Sequence, residues 1–179
     1  MLKKPLAEER IGILGGVFDP VHKGHVALAK SAIQELSLSW LYIVPAGIPP
    51  HKKPPLFSIS ERLTMLTAAF KKQKKIRVSD FEIARKRTTY TWQTLAHFKR
   101  KTKARLVFIM GADNIPEIKK WKRPARIFKL ATIAVAARPG YKPLKDYPEY
   151  REKMTCFPMK PVDLSSTEIR KSLAATQGR

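Results

Sequence analysis

The stretch Gly15-Gly16-Val17-Phe18-Asp19-Pro20-Val21-His22-Lys23-Gly24-His25 constrains this chain more than any other. An apolar run, Ile11-Gly12-Ile13-Leu14, leads into two adjacent glycines and a Pro-containing turn. From Val26 the apolar residues Val26, Leu28, Ala29, Ala32, Ile33 and Leu36 recur at helical spacing. The pattern predicts a buried strand, a glycine-rich turn and the first turn of a helix. Such a junction gathers unpaired backbone N–H groups and the positive end of a helix dipole, a setting suited to phosphate. His22 and His25, three residues apart, can lie on one side of that turn and add donors to the same place. Plainer readings exist: paired glycines after a strand often make only a tight turn, and a histidine near a helix start often caps it or faces solvent. His-x-x-His is also half of a zinc site, but one cysteine and no obvious third and fourth ligands argue against it, so no protein-held metal is expected.

Downstream, Trp40-Leu41-Tyr42-Ile43-Val44-Pro45 reads as a second strand, ending in the proline-rich loop Ala46–Pro55. Ser58-Ile59-Ser60-Glu61 is a capping box opening a helix whose apolar face is Leu63, Met65, Leu66 and Ala69. Residues Ile76–Ile83 alternate like a strand, and Thr91–Phe98 reads as helix with Trp92, Leu95 and Phe98 inward. Leu106–Met110 and Ala131–Ala137 are apolar strands, ended by Gly111-Ala112-Asp113 and Arg138-Pro139-Gly140, with a helix near Ala125–Leu130 between them. Apolar strands alternating with amphipathic helices predict an α/β fold, a doubly wound parallel sheet in a single domain over 1–179 with its core in about 10–173. Ligands of such sheets sit beyond the carboxyl ends of the strands, where Gly15-Gly16, Pro49–Lys52, Gly111–Asp113 and Arg138 all fall. The Pro- and charge-rich region 141–161 predicts little beyond a helix near Tyr147–Lys153.

Charge is the unusual property of the composition. Lys and Arg total 36 against 14 Asp and Glu, a formal +22, and only seven of the basic residues lie in the first 60. About half of the rest cluster at 71–75, 85–87, 99–103 and 119–123, a field that attracts polyanions and steers nucleotides. A nucleic-acid-binding protein is therefore a competing reading, but no RNA- or DNA-binding motif is visible and aromatics do not interleave with the lysines. Most of these lysines fall at helix ends and turns, as a solvated surface would place them. No apolar run approaches membrane-spanning length, no signal peptide is visible, and the lone Cys156 permits no internal disulfide, so a cytoplasmic protein is expected.

A second phosphate-gripping pattern closes the chain: Ser165-Ser166-Thr167-Glu168-Ile169-Arg170. Ser165 or Ser166 can cap a helix, leaving N–H groups and hydroxyls outward with Arg170 about one turn on. Together, GGVFDPVHKGH and SSTEIR resemble the GG-T/S-FDP-x-H-x-GH and SST-x-x-R elements of the nucleotidyltransferases that move an adenylyl group from ATP. Val17 departs from that signature, replacing the usual Thr or Ser hydroxyl. The intervening Pro49-Pro50-His51-Lys52, Thr89-Tyr90-Thr91 with Thr94-Leu95, Gly111-Ala112-Asp113, Trp121 and Arg138-Pro139-Gly140 resemble, in order, elements of bacterial nicotinate-mononucleotide adenylyltransferase. Phosphopantetheine adenylyltransferase shares the end motifs but is not expected to show this middle set.

The resemblance implies a Rossmann-like nucleotidyltransferase fold with ATP and nicotinate mononucleotide as substrates and Mg²⁺ carried on the ATP phosphates. Nicotinamide mononucleotide or phosphopantetheine are the alternative acceptors. It implies catalytic roles for His22, His25 and Arg170, and an ATP site that adds Gly15, Gly16, Phe18, Gly111, Asp113, Arg138, Ser165, Ser166 and Thr167. On the mononucleotide side it implies Val17, Lys52, Thr91, Trp121 and Lys122. Lys122 stands where some relatives carry an aromatic residue, and can supply charge to the nicotinate carboxylate. The family usually continues past the serine motif with a further helix, whereas this chain ends at Arg179.

Overall fold

A computed structural model describes residues 8–49, 54–137, 152, 154–159 and 166–177. Within them the chain runs β1 (Arg10–Gly16), α1 (Lys23–Glu35), β2 (Trp40–Pro45), α2 (Ile59–Phe70), β3 (Ile76–Val78), α3 (Phe81–Ala84), α4 (Thr91–Lys101) and β4 (Arg105–Gly111). Two 3₁₀ turns, Ala112–Asn114 and Pro116–Lys120, lead to α5 (Pro124–Leu130), β5 (Thr132–Ala137), β6 (Met154–Pro158) and α6 (Ser166–Gln177). The six strands form one sheet in the order β3-β2-β1-β4-β5-β6, every described pairing parallel. The expected doubly wound parallel sheet is therefore present.

The central strands β1 and β4 are buried on both faces, and their successive side chains split the core into two layers. Ile11 and Ile13 of β1 and Leu106, Phe108 and Met110 of β4 pack with Leu95 and Phe98 of α4 and Ile127 of α5. Leu14 of β1 and Val107 and Ile109 of β4 face the other way, toward Leu28, Ala29 and Ala32 of α1 and Leu66 and Phe70 of α2. Gly12 belongs to this second layer: a Cβ there would stand 2.6 to 2.9 Å from the ends of the Leu38, Leu41 and Ile109 side chains, which would have to shift to admit it. Because β1 is flanked by β2 on one side and β4 on the other, the strand order reverses there. The crevice above β1 and β4 is the natural ligand position in such a sheet.

Three expectations are corrected. Ile76–Ile83 is not one strand: β3 ends at Val78 and Phe81–Ala84 is a helical turn. The ladder's last bond is from Ser79 N to Ile43 O, after which Phe81 N turns back onto Ser79 Oγ. Over so few residues, a strand followed by a helical turn gives the same apolar spacing as a longer strand. On α2 the inward positions are Arg62, Leu66 and Phe70, with Leu63, Met65 and Ala69 only half-buried. Strand β6 emerges from the segment that predicted little, its Met154 and Phe157 buried against β5 and the α1 layer. The helix expected near Tyr147–Lys153 lies outside the described residues.

The basic clusters sit where the charge pattern placed them. Lys99, Arg100 and Lys101 form the last turn of α4, where cations oppose the negative end of the dipole, and all are exposed. No helix among the described residues is long and apolar enough to cross a membrane.

Two buried charged groups brace the loops at the carboxyl edge of the sheet. Arg62, 1 % exposed, donates from Nη1 to Val17 O (2.8 Å) and Ala46 O (2.9 Å), tying the turn after β1 to the loop after β2. Glu82 is also buried and accepts from Thr94 Oγ1, joining α3 to α4. Burial pushes its carboxyl up to about 7, against the opposing pull of the Thr94 bond and Arg85. Arg62→Met should leave two partly buried carbonyls without their donor and cost about 1–3 kcal/mol in chemical denaturation. An unchanged midpoint would show the bridge to be idle. Glu82 is neutral in the fold up to about pH 7 but ionises near 4.5 when unfolded, so its contribution is full below 4.5 and is lost as pH rises through 7. Glu82→Gln should accordingly flatten the fall in melting temperature between pH 5 and 8, by an amount equivalent to roughly 1–3 kcal/mol.

Candidate active site

Above β1 and β4 lies a cleft of about 830 Å³, lined by both sequence motifs. The first motif forms its floor. Phe18 takes a left-handed backbone (φ 52) and is 2 % exposed. Its ring fills the space beside Gly16, where a Cβ would stand 3.0 to 3.3 Å from three ring atoms. A side chain at Gly16 would press on the Phe18 ring, which would have to give by a few tenths of an ångström. The Phe18 ring then meets His25 edge-on, with centroids 4.9 Å apart. Phe18 itself also lines the cleft.

The two histidines cap α1. His22 is the N-cap residue, with its Nδ1 accepting from Gly24 N at 3.1 Å, while His25 Nδ1 accepts from His22 N at 3.3 Å. This is a capping box built from imidazoles in place of the usual Ser and Glu. With each Nδ1 occupied as an acceptor, the neutral ring carries its proton on Nε2. The rings lie 3.8 Å apart, tilted by 37°, and both line the cleft. No acidic residue occupies the first turn of α1, so the dipole's positive end is left uncompensated by carboxylates on that turn.

The second motif arrives from the far end of the chain. Ser166, the first residue of α6, donates from Oγ to Pro20 O at 3.0 Å. Arg170 donates from Nη1 to Asp19 O at 2.6 Å and from Nη2 to Thr167 Oγ1 at 3.2 Å. Ser166, Thr167 and Arg170 all line the cleft beside His22 and His25. The guanidinium, the hydroxyls and the imidazoles make a donor-rich wall suited to a polyphosphate.

The remaining sequence-predicted residues divide by position. Gly15, Gly16, Val17 and Gly111 line the cleft, as does Trp121, whose indole meets Phe108 edge-on at 5.7 Å. Thr91 opens α4 and Lys122 is exposed, its Nζ 5.2 Å from the Tyr90 ring centroid, and neither is among the lining residues. Asp113 falls within a 3₁₀ turn beside the cleft residue Asn114, its side chain outside the described set. Lys52, Arg138 and Ser165 also lie outside the described residues. Asn114, Phe108, Met110 and Leu56 line the cleft without having been singled out. Asn114 directly follows Gly111–Asp113, whereas Phe108 and Met110 read in sequence only as strand core. Asp19 was legible as part of the motif but not as the buried hub it proves to be.

The residues 13–172 match the family model described as cytidylyltransferase-like. Among curated proteins, a probable nicotinate-nucleotide adenylyltransferase of Clostridium botulinum is 38 % identical, covering 92 % of this chain and 86 % of that protein. One of the same name from Nitratiruptor is 37 % identical over 90 % of this chain and 87 % of its own length. Among solved structures, Plasmodium falciparum nicotinic acid mononucleotide adenylyltransferase complexed with NaAD superposes with a TM-score of 0.76 at 22 % identity, covering 91 % of this chain and 83 % of that one. With its sheet order, its paired histidines and its serine–arginine helix all in place, the chain belongs to the cytidylyltransferase-like nucleotidyltransferases and, within them, to the nicotinate-nucleotide adenylyltransferase family.

Proposed function

We propose that this protein transfers the adenylyl group of ATP to nicotinate mononucleotide, forming nicotinate adenine dinucleotide and pyrophosphate in NAD biosynthesis. The observation that carries this reading is the meeting of His22, His25, Ser166, Thr167 and Arg170 on one cleft, although the two groups are more than 140 residues apart. The name shared by relatives over nearly the whole chain supports the acceptor.

In this reading a 5′-phosphate oxygen of the mononucleotide attacks the α-phosphorus of ATP in line, and the bond to the oxygen bridging to the β-phosphorus breaks. No protein nucleophile is needed. Catalysis comes from positioning two anions and from donors aimed at the charge that grows on the leaving pyrophosphate. His22 and His25 supply Nε2–H donors to the phosphates. Arg170, Thr167, Ser166 and Ser165 hold the β and γ groups, and the Gly15-Gly16 turn lets backbone approach closely. Gly111, Asp113 and Arg138 serve the adenosine, with Asp113 on the ribose hydroxyls. Lys52 meets the mononucleotide phosphate, while Trp121 and Val17, both on the cleft, accommodate the nicotinate ring with Thr91, at the start of α4, serving the same substrate.

Asp19 is the single carboxylate among the described lining residues, and both its oxygens already accept backbone N–H groups. That donor set suits phosphate oxygens rather than a cation held by protein, so Mg²⁺ fits as a companion of the triphosphate. Bound there it neutralises phosphate charge.

A pyrophosphate-release assay with ATP and each of nicotinate mononucleotide, nicotinamide mononucleotide and phosphopantetheine tests the assignment. Release should be fastest by far with the first, and no release with any of them would end the proposal. His22→Asn keeps a good N-cap but removes the Nε2–H donor, so kcat should fall about 10²–10³-fold with melting temperature nearly unchanged. Wild-type turnover in that variant would exclude the imidazole from catalysis. Lys122→Glu should raise KM for the acid mononucleotide several-fold and leave KM for the amide almost untouched. Equal effects on both would remove Lys122 from acid recognition.

A further inference from the structure

Asp19 holds two segments that both line the cleft, the loop Pro54–Phe57 and the start of α6. It is 6 % exposed, with Oδ2 accepting from Leu56 N and Oδ1 from Phe57 N, each at 2.9 Å. The loop Pro54–Phe57 has no other backbone donors, because Pro54 and Pro55 carry no N–H. Both of its N–H groups therefore end on one side chain. The same residue's carbonyl takes the 2.6 Å bond from Arg170, and Arg170 Nη1 lies 3.7 Å from Oδ2. Pro54 and Leu56 line the cleft, and the Leu56 side chain is exposed there. Arg62, which ties the turns after β1 and β2 together, also lies within the field of the Asp19 carboxylate.

We propose that Asp19 is a positioning residue that couples the two substrates: the loop Pro54–Phe57 on the acceptor side and helix α6 on the ATP side take their productive register from one carboxylate and its own carbonyl. This rests on the reaction assigned above, because that reaction names the two halves. A phosphate drawing Arg170 toward ATP moves the Asp19 backbone, and the carboxylate passes that displacement to Leu56 and Phe57. The mononucleotide acts through the same contacts in reverse, as reciprocity of binding free energies requires.

The test is calorimetric titration with α,β-methylene-ATP, alone and in the presence of saturating nicotinate mononucleotide, with Mg²⁺ throughout. The wild-type protein should bind the analogue at least about fivefold more tightly when the mononucleotide is present. In Asp19→Asn that factor should fall to within about twofold of one, since the amide can accept at only one of its two positions. Leu56→Pro removes one donor and leaves Asp19 intact. It should also lose most of the factor, and it decides the matter if Asp19→Asn does not fold. A merely structural role would weaken both affinities while leaving their ratio at the wild-type value. That result in the variants, or a wild-type factor of one, overturns the proposal. A wild-type protein that binds neither nucleotide instead overturns the assigned reaction.

Discussion

The bond from Arg170 to the Asp19 carbonyl joins residues 151 apart in the chain, and the cleft depends on it. Each motif alone is an ordinary helix start with polar side chains. Together they place a guanidinium, hydroxyls and two imidazoles around one volume of about 830 Å³. Bringing such distant segments together carries a loop-closure cost that grows only slowly with length. The parallel sheet has already met most of it by fixing β1 at the centre and winding the rest of the chain outward on either side.

Electrostatics give the second constraint. A buried carboxylate needs donors, and Asp19 receives two backbone N–H groups together with the nearby Arg170. A buried guanidinium needs acceptors, and Arg62 finds Val17 O and Ala46 O. These groups are engaged with the loops, not with a ligand, and they hold the turns that present the ligand-facing donors. The excess positive charge elsewhere is mostly exposed at helix ends and loops, where it raises the potential around a cleft for anions without shaping it.

Much of this was legible from residues. Strand β2 was read at its full length, and the capping box at Ser58 is present with both bonds in place. The eleven-residue string at Gly15–His25 gave strand, turn and helix start because glycine, proline and capping chemistry act locally. Position Ile76–Ile83 misled because apolar alternation over eight residues does not distinguish a strand from a strand and a helical turn. Arg62 was overlooked because a charged residue on an amphipathic helix ordinarily faces water, and its acceptors belong to loops 16 and 45 residues away. Strand β6 stayed hidden because a short edge strand takes its identity from its partner, here β5.

By itself the sequence determined the periodicities, the glycine-rich turn after β1 and the caps, since each depends on neighbours a few residues away. It also determined the family, through motifs whose order is a property of the chain. Only the tertiary structure decided that imidazoles cap α1 with their Nδ1 atoms, that Asp19 is buried between two loops, and that Trp121 reaches the cleft where Lys122 does not line it. Those outcomes turn on which groups meet across the sheet edge, and contacts between segments far apart in sequence leave no local pattern to read.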